Sequence, residues 1–137
     1  MRLWHYKLIP VLPKEMLVSQ WRECIAIKRQ WEKGTLKHRL VSYVMDHPID
    51  TFHYYVYYIV QELKKRNIDY TSSYYEELLK FNPYNQELLR VPCIFPEHNN
   101  RYLKQCYYNL EEKHDRGIIS DEEWKPIEDL YCETEDR

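Results

Sequence analysis

Two short segments of this chain, which lie close together in the sequence, indicate how it folds: Met1-Arg2-Leu3-Trp4-His5 and Leu17-Val18-Ser19-Gln20-Trp21-Arg22-Glu23-Cys24. The first segment carries a free α-amino group, and the second carries an Arg-Glu pair within a helical pattern. About twenty residues separate the amine from the pair, so a short lead-in followed by about three turns of helix can bring the chain start back against Glu23. The two segments therefore predict a site that holds an amine, a carboxylate and a guanidinium together.

The α-amine is an unusual nucleophile among protein groups. Its ordinary pKa of about 7.7 to 8.0 leaves a neutral fraction near physiological pH. Such an amine can attack an electrophilic sugar carbon and form an imine, while a neighbouring carboxylate transfers protons and stabilises positive charge. Arg22, one residue before Glu23, is placed to neutralise a phosphate beside the reacting sugar. Taken alone, however, an Arg-Glu pair on a helix is more often a solvated surface.

The same residues carry a family resemblance. The start Met-Arg-Leu-Trp-His and the Trp-Arg-Glu of the following helix resemble the pyrimidine-dimer DNA glycosylases of the phage endonuclease V family, and more closely their bacterial relatives. The resemblance implies that the N-terminal amine attacks the sugar C1′ of a damaged nucleotide, with Glu23 as the essential acid and with Arg2 and Arg22 contacting phosphates. Family enzymes lose the initiator Met to expose a small residue, whereas the bulky Arg2 follows here. Met1 is therefore expected to remain, with its amine as the nucleophile.

Composition predicts one mostly helical domain over residues 1–137. A chain of this length buries about two thirds of the surface that its unfolded form exposes, so a single core suffices. Two glycines are too few for a Gly-rich phosphate loop or a turn-rich β sandwich. We expect a compact all-α bundle of about five to six helices with one long irregular connection, and the family resemblance implies the same fold class.

Apolar periodicity and capping residues place the helices. The predicted ranges are 13–33 with a stop at Gly34, 35–45, 51–66 with Asp50 as cap and Asn67 as stop, 73–80 with a capping box from Ser73, 97–115 with a stop near Gly117, and a last short helix that begins with the capping box Ser120-Asp121-Glu122-Glu123. Residues 82–97 contain three prolines and form the long connection. The tyrosines of the third helix are interpreted as core packing rather than stacking platforms for bases, as are Trp124 and Tyr131.

Charge is distributed unevenly, although the net charge is only −2. Residues 1–44 contain nine basic against three acidic residues, and residues 121–137 contain two against eight. The basic first third is a candidate DNA footprint, and the acidic end of the chain is expected to point away from it. Lys28, Arg29 and Lys37 are the candidate contacts to the DNA backbone in this first third.

Three further side chains are candidate DNA contacts. His5, four residues from the amine, could lower the pKa of that amine or hydrogen-bond a phosphate. His38 is a candidate phosphate or base contact, although a lone surface histidine more often has no such role. The segment Asn109-Leu110-Glu111-Glu112-Lys113 resembles the family's Arg-Leu-Asp-Glu-Lys, which implies that Lys113 contacts the DNA backbone and that Asn109 lacks one phosphate contact.

Several classes of site are not expected. The six histidines and four cysteines show no metal-ligand spacing, so neither a metal nor a cofactor is predicted. The cysteines form no CxxC motif, and the first residues contain no apolar signal segment, which favours a cytosolic protein with reduced thiols. No run of about eighteen apolar residues is present, so no membrane partner is expected.

The resulting hypothesis is a monomeric DNA repair glycosylase with abasic-site lyase activity. It would act on damaged pyrimidines in double-stranded DNA, and so associate with the nucleoid, through a Schiff-base intermediate. A non-catalytic helical module that binds DNA or protein is the alternative from another class. The same imine chemistry on another lesion or modified base is a third possibility, because the choice of base depends on pocket shape.

Overall fold

Helices form nearly all of the regular structure of this protein. A computed structural model describes residues 1–83 and 94–135. Within these ranges the α-helices are α1 (Lys14–Glu32), α2 (Ile49–Lys65), α3 (Ser72–Lys80), α4 (Asn100–Asp115) and α5 (Asp121–Glu135), with short 3-10 helices at Tyr6–Val11 and Ser42–Asp46. The described residues contain no strand, so the predicted all-α fold class is confirmed.

The helices α1 and α2 form the centre of the fold and pack against each other. Their buried faces repeat at three- and four-residue steps, as in Leu17, Cys24 and Ile27 on α1. On α2 the side chains of Phe52 and Ile59 are fully buried. Full burial of one such side chain contributes about 1.5 to 3 kcal/mol. The 3-10 helix Tyr6–Val11 packs on α2 and α5, α3 packs on α1, and α5 packs on α4.

Local signals end three of the helices where they were predicted to end. Gly34, Asn67 and Gly117 have φ angles of 68°, 57° and 78°, the left-handed conformation of a C-terminal cap. Each stop carries the paired cap bonds, as in Thr35 N to Gln30 O at 2.9 Å. The capping box before α5 is also confirmed, because Glu123 N donates to Ser120 Oγ at 3.2 Å and Ser120 N donates to Glu123 Oε1 at 3.0 Å.

The predicted second helix, 35–45, is wrong. Only Ser42–Asp46 is helical in this region, and it is a 3-10 helix. Residues 37–40 are exposed, so this stretch buries too little apolar surface to offset the cost of nucleating a short helix. The β-branched Val41 and Val44, which lower helix propensity, are instead buried in the core.

Two predicted caps are also wrong. Thr71, rather than Ser73, precedes α3, and it adopts φ 58° without a side-chain cap bond. The Asp69 carboxylate instead accepts a hydrogen bond from Thr71 N at 3.0 Å. Asp50 lies in the first turn of α2, whose cap position is Pro48.

The predictions for the aromatic residues divide in two. Tyr55, Trp124 and Tyr131 are buried, which confirms core packing for these three. Tyr57 is 44% exposed on the outer face of α2. The connection predicted at 82–97 lies mostly outside the described residues. No described helix combines the length and apolar character needed to cross a membrane.

Candidate active site

The first five residues form an extended segment whose backbone is bound by side chains rather than by a helix or a strand. Trp4 N donates to Gln20 Oε1 at 2.7 Å. The Tyr55 hydroxyl lies 2.6 Å from Trp4 O, and the Tyr102 hydroxyl donates to Leu3 O. Since backbone groups that leave water must find partners, these three side chains determine the path of the N-terminal segment.

Glu23 lies against the same segment. Its Oε2 accepts a hydrogen bond from Gln20 Nε2 at 2.9 Å, and the same nitrogen donates to Arg2 O at 2.9 Å. The backbone of Arg2 also acts on Glu23, since it lowers the pKa of that carboxyl. The fold therefore brings the start of the chain to Glu23, although sixteen or more residues separate the partners in sequence.

The electrostatics of Glu23 combine two opposing effects. Burial raises the pKa of this carboxyl above its ordinary value. The positive charge of the Met1 amine, the hydrogen bonds from Arg2 and Gln20, and the charge of His38 act in the opposite direction. A raised pKa moves a carboxyl in the direction that favours general acid and base catalysis.

An open pocket of about 300 Å³ lies beside Glu23. Seven residues line it: Trp4, Glu15, Met16, Ser19, Gln20, Glu23 and Lys113. The lysine comes from the end of α4 and is half-buried, so it presents a positive charge in the same pocket as the carboxylate. This pocket joins the N-terminal segment, α1 and α4 in one concave surface.

The exposed candidate DNA contacts lie on α1 and on the following connection. Arg22 is exposed on α1, next to Glu23. Arg29, one to two turns further along, is exposed and lies over the ring of Tyr74 at 5.6 Å. Lys37 and His38 are exposed in the connection after α1, and the charge of His38 reaches Glu23. These four side chains are accessible to a polyanion.

Two other candidates, His5 and Lys28, are not accessible. His5 is 1% exposed and its Nδ1 accepts a hydrogen bond from Lys7 N at 3.2 Å. Burial lowers the pKa of His5 to about 4, so the ring is neutral at physiological pH. Lys28 is 4% exposed, and its ammonium pairs with Glu32 and lies 3.5 Å from Glu77 on α3. Both side chains are buried against protein partners, and their DNA contacts stay a prediction.

Arg2 is half-buried and has protein partners. Its guanidinium interacts with the side chains of Tyr102 and Cys106 on α4. Because Tyr102 also holds Leu3 O, Arg2 contributes to anchoring the N-terminal segment on α4. Its expected phosphate contact stays a prediction.

A buried histidine completes the support of the segment. His98, 5% exposed, accepts a hydrogen bond from Tyr6 N at Nδ1 over 3.3 Å, and its Nε2 lies 2.7 Å from the Tyr43 hydroxyl. Burial lowers the pKa of His98 to about 3, so the neutral ring carries its proton on Nε2 and donates it to Tyr43. The ring stacks on His5 with centroids 5.4 Å apart.

Sequence reasoning missed Gln20, Tyr55 and Tyr102. Gln20 follows Leu17 by three residues and precedes Cys24 by four, so it lies on the apolar stripe of α1. A polar residue on a buried stripe signals a structural hydrogen bond, and this signal was available. The partners of Tyr55 and Tyr102 are distant in sequence and had no local signal.

The described His, Cys, Asp and Glu side chains do not form a metal site, and the described cysteines are free thiols. No three His, Cys, Asp or Glu side chains within residues 1–83 and 94–135 converge to hold a metal ion. Cys24 and Cys106 are buried free thiols, and Cys132 is an exposed one. Burial raises the pKa of the Cys106 thiol.

The fold and the site define a class of protein: a small all-α protein in which a carboxylate, a residue of the N-terminal segment and a lysine line one pocket. The family model described as pyrimidine dimer DNA glycosylase matches residues 1–76, more than half of the 137 residues. The chain belongs to the pyrimidine dimer DNA glycosylase family. It is therefore a DNA repair glycosylase whose substrate is DNA. No curated protein and no solved structure matches it.

Proposed function

We propose that this protein is a bifunctional DNA glycosylase and abasic-site lyase that uses the α-amine of Met1 as nucleophile and Glu23 as proton shuttle. The observation that carries the proposal is the Glu23 carboxylate, which accepts a hydrogen bond from Gln20 Nε2 and whose pKa is lowered by the charge of the Met1 amine. The pocket beside Glu23 is also lined by Trp4 of the N-terminal segment and by Lys113. The substrate is double-stranded DNA with a damaged pyrimidine, and the enzyme acts as a monomer.

The proposed reaction has three steps. The neutral amine forms a bond to C1′ while the bond from C1′ to the base breaks, and the base leaves with the bonding electrons and takes a proton from solvent water. Glu23 takes the amine proton and returns it to the ring oxygen as the sugar opens, which leaves an imine at C1′. Removal of a C2′ proton by Glu23 then expels the 3′ phosphate, and water releases the amine. A carboxyl with a raised pKa serves both directions of transfer.

The damaged strand must be distorted before the amine reaches C1′. Expulsion of a base costs a few kcal/mol and costs least at a damaged or poorly stacked step. We propose that Arg22, Arg29, Lys37, His38 and Lys113 bind phosphates on either side of that step, with Arg2 close to the reacting sugar. Each phosphate neutralised steepens the fall of log affinity with log salt by about 0.9.

Borohydride trapping tests the covalent step. Intact protein is incubated with one duplex that carries an abasic site and one that has been irradiated with ultraviolet light. Trapping of both, with the adduct mapped to the peptide that contains Met1, is the expected result. Trapping of the abasic duplex alone would keep the lyase and assign the glycosylase to another base. No adduct from protein with a free N-terminus would contradict the proposal and favour a binding module.

Glu23→Gln tests the role of the carboxylate. The variant keeps the size of the side chain but removes its proton transfer, so trapping and strand cleavage should fall by about a hundredfold or more while DNA affinity stays unchanged. Glu76→Gln, at an exposed position on α3, is the matched control and should keep wild-type rates. Equal rates for Glu23→Gln and wild type would remove Glu23 from the mechanism.

The phosphate contacts are tested by salt dependence. Lys37→Ala should reduce the slope of log affinity against log salt by about 0.9. Lys125→Ala removes an exposed lysine that pairs with Asp129 on α5, and it should leave the slope unchanged. An equal change for both lysines would mean that DNA does not lie preferentially along the α1 side of the molecule.

A further inference from the structure

Gln20 is the most constrained polar side chain beside the proposed site. It lies on α1, three residues before Glu23, and is 1% exposed. Burial of an amide without hydrogen bonds costs about 1 to 3 kcal/mol, so its place on the apolar stripe of α1 requires that its partners be supplied by the fold.

All four hydrogen-bonding positions of the Gln20 amide are in use. The oxygen accepts from Trp4 N at 2.7 Å and lies 3.0 Å from the Tyr55 hydroxyl, whose single proton is shared between this oxygen and Trp4 O. The nitrogen donates to Arg2 O and to Glu23 Oε2, each at 2.9 Å. An amide has two acceptor positions and two donor protons, and none is left over.

This set of partners also allows only one orientation of the amide. A flipped amide would place its nitrogen against Trp4 N–H, which is itself a donor, and its oxygen against Arg2 O, which is itself an acceptor. Both contacts would be repulsive. The planar amide is therefore held rigidly, and its nitrogen keeps a fixed direction toward Glu23.

The amide links the two reacting groups of the proposed mechanism. On one side it binds the backbone of Arg2, the residue that follows Met1, and of Trp4. On the other side it binds the Glu23 carboxylate. The same amide nitrogen thus binds both the residue next to Met1 and the carboxylate, each at 2.9 Å.

We propose that Gln20 is a positioning residue, which sets the separation and orientation of the Met1 amine and the Glu23 carboxylate through its simultaneous bonds to the N-terminal backbone and to Glu23. This inference rests on the proposed function. The side chain of Gln20 is 1% exposed and has all its hydrogen bonds within the protein, so its role is exerted through the two groups that it holds. It acts by holding the nucleophile and the proton shuttle in the geometry needed for attack, where a misplacement of about 1 Å costs about a hundredfold in rate.

Gln20 also affects the charge of Glu23. Its donated hydrogen bond opposes the effect of burial on that carboxyl. Removal of the donor should raise the pKa of Glu23 further, so that the limb of the pH–rate profile that reports Glu23 moves to higher pH. A residue that only fills space in the core would not shift this limb.

Gln20→Met is the main test, because methionine has a similar length and neither donates nor accepts these bonds. With the abasic duplex in single-turnover trapping, we expect a rate about a hundredfold lower, an unchanged DNA dissociation constant, and the shifted pH limb. Gln30→Met on the same helix, at a half-buried position away from the segment, is the matched control and should behave as wild type.

Tyr55→Phe provides a second variant that keeps Gln20. It removes the hydroxyl at Trp4 O and Gln20 Oε1 but no bond to Glu23. We expect about a tenfold lower trapping rate without movement of the pH limb. If Gln20→Met fails to fold by circular dichroism, Tyr55→Phe decides: a wild-type rate in that variant overturns the inference.

The outcomes separate this inference from the proposed function. A wild-type protein that gives no adduct contradicts the proposed function. In that case two measurements that need no activity still test the role of Gln20: the pKa of Glu23 from carboxyl NMR titration, and the amide exchange rate at Trp4. If both values are the same in wild type and Gln20→Met, the inference is overturned. A wild-type protein that traps normally, beside a Gln20→Met variant with the same rate and pH profile, overturns the inference alone.

Discussion

The N-terminal segment and the α4–α5 pair differ in how their positions are fixed. Both bury apolar side chains, including Leu3 and Trp4 of residues 1–5, but the path of residues 1–5 also depends on hydrogen bonds from Gln20, Tyr55 and Tyr102. The α4–α5 pair is joined by packed rings, with Tyr107 and Tyr131 stacked at 3.8 Å between centroids and Trp124 beside them. The N-terminal segment thus adds specific polar contacts to its apolar packing, whereas the α4–α5 pair relies mainly on apolar area.

The two kinds of interaction contribute differently to the position of the reacting groups and to the free energy of unfolding. A stacked cluster loses much free energy when a ring is deleted, but it carries no directional information to Glu23. A single hydrogen bond contributes only about 0.5 to 1.5 kcal/mol, yet it determines where a reacting group lies. The two regions should therefore respond in opposite ways to substitution.

The largest effect on stability is expected from Trp124→Ala. The Trp124 ring packs on Tyr107 and stacks on His114 at 5.0 Å, and its deletion should lower the free energy of unfolding by about 3 to 5 kcal/mol. Urea unfolding measures the loss. The trapping rate of the folded fraction should stay within about twofold of wild type. If fully folded Trp124→Ala traps DNA much more slowly than wild type, the α4–α5 pair does position the site.

Acid should act first on the regions that bury neutral histidines. Burial lowers the pKa of His5 on the N-terminal segment and of His53 on α2 to about 4, and that of His98 to about 3, whereas an unfolded histidine titrates near about 6.5. Below that pH the unfolded state binds more protons than the folded state, so stability falls as pH falls. Each histidine should cost about 2 kcal/mol by pH 5.

Urea unfolding at pH 7 and pH 5 measures this cost, and amide exchange locates it. Protection at Trp4 and Leu8 should be lost before protection at Leu110 on α4, because His5 belongs to the N-terminal segment and His98 stacks on His5 and binds Tyr6 N. Equal loss in both regions would mean that the segment and the α4–α5 pair open together.

Tyr102→Phe should affect rate more than stability. It removes the hydrogen bond to Leu3 O, which should cost about 1 kcal/mol in unfolding free energy and about tenfold in trapping rate. Tyr108→Phe, on the same helix at a position 57% exposed, is the control and should change neither value. If the rate of Tyr102→Phe equals that of wild type, the Leu3 carbonyl does not guide the amine.

The smallest effect is expected from Ser120→Ala. The substitution removes one bond of the capping box at the start of α5 and should cost about 1 kcal/mol. Thermal unfolding measures this change, and the trapping rate should be unaffected. A loss of activity would contradict the separation of support from site.

Much of the fold was predictable because its signals are local. The stops at Gly34, Asn67 and Gly117 each need only a residue that tolerates positive φ. The helix predicted at 35–45 was wrong because the apolar residues of this stretch suggested a helical face. In the structure Val41 lies in an irregular segment and Val44 in a 3-10 helix, and both are buried in the core. Propensity is a weak guide where tertiary packing supplies the energy.

The site was predictable only in part. Residues near each other in sequence, or shared with the family, pointed to the amine, Arg22 and Glu23. The charges of Lys28 and His5 were visible in the sequence, but their burial was not. A side chain on the helix rim points to solvent or to a neighbouring helix according to how the helices pack, and for Lys28 the neighbour is Glu77 on α3.

The sequence by itself determined the helical class, the three helix stops at Gly34, Asn67 and Gly117, the capping box before α5, and the presence of an amine and a carboxylate within folding reach, because these depend on local conformation and on residue type. Only the tertiary structure decided which side chains hold the chain start. The bonds from Gln20, Tyr55 and Tyr102 span 16, 51 and 99 residues. Such pairings exist only after distant helices have packed, since packing decides which backbone groups leave water and which polar side chains can reach them.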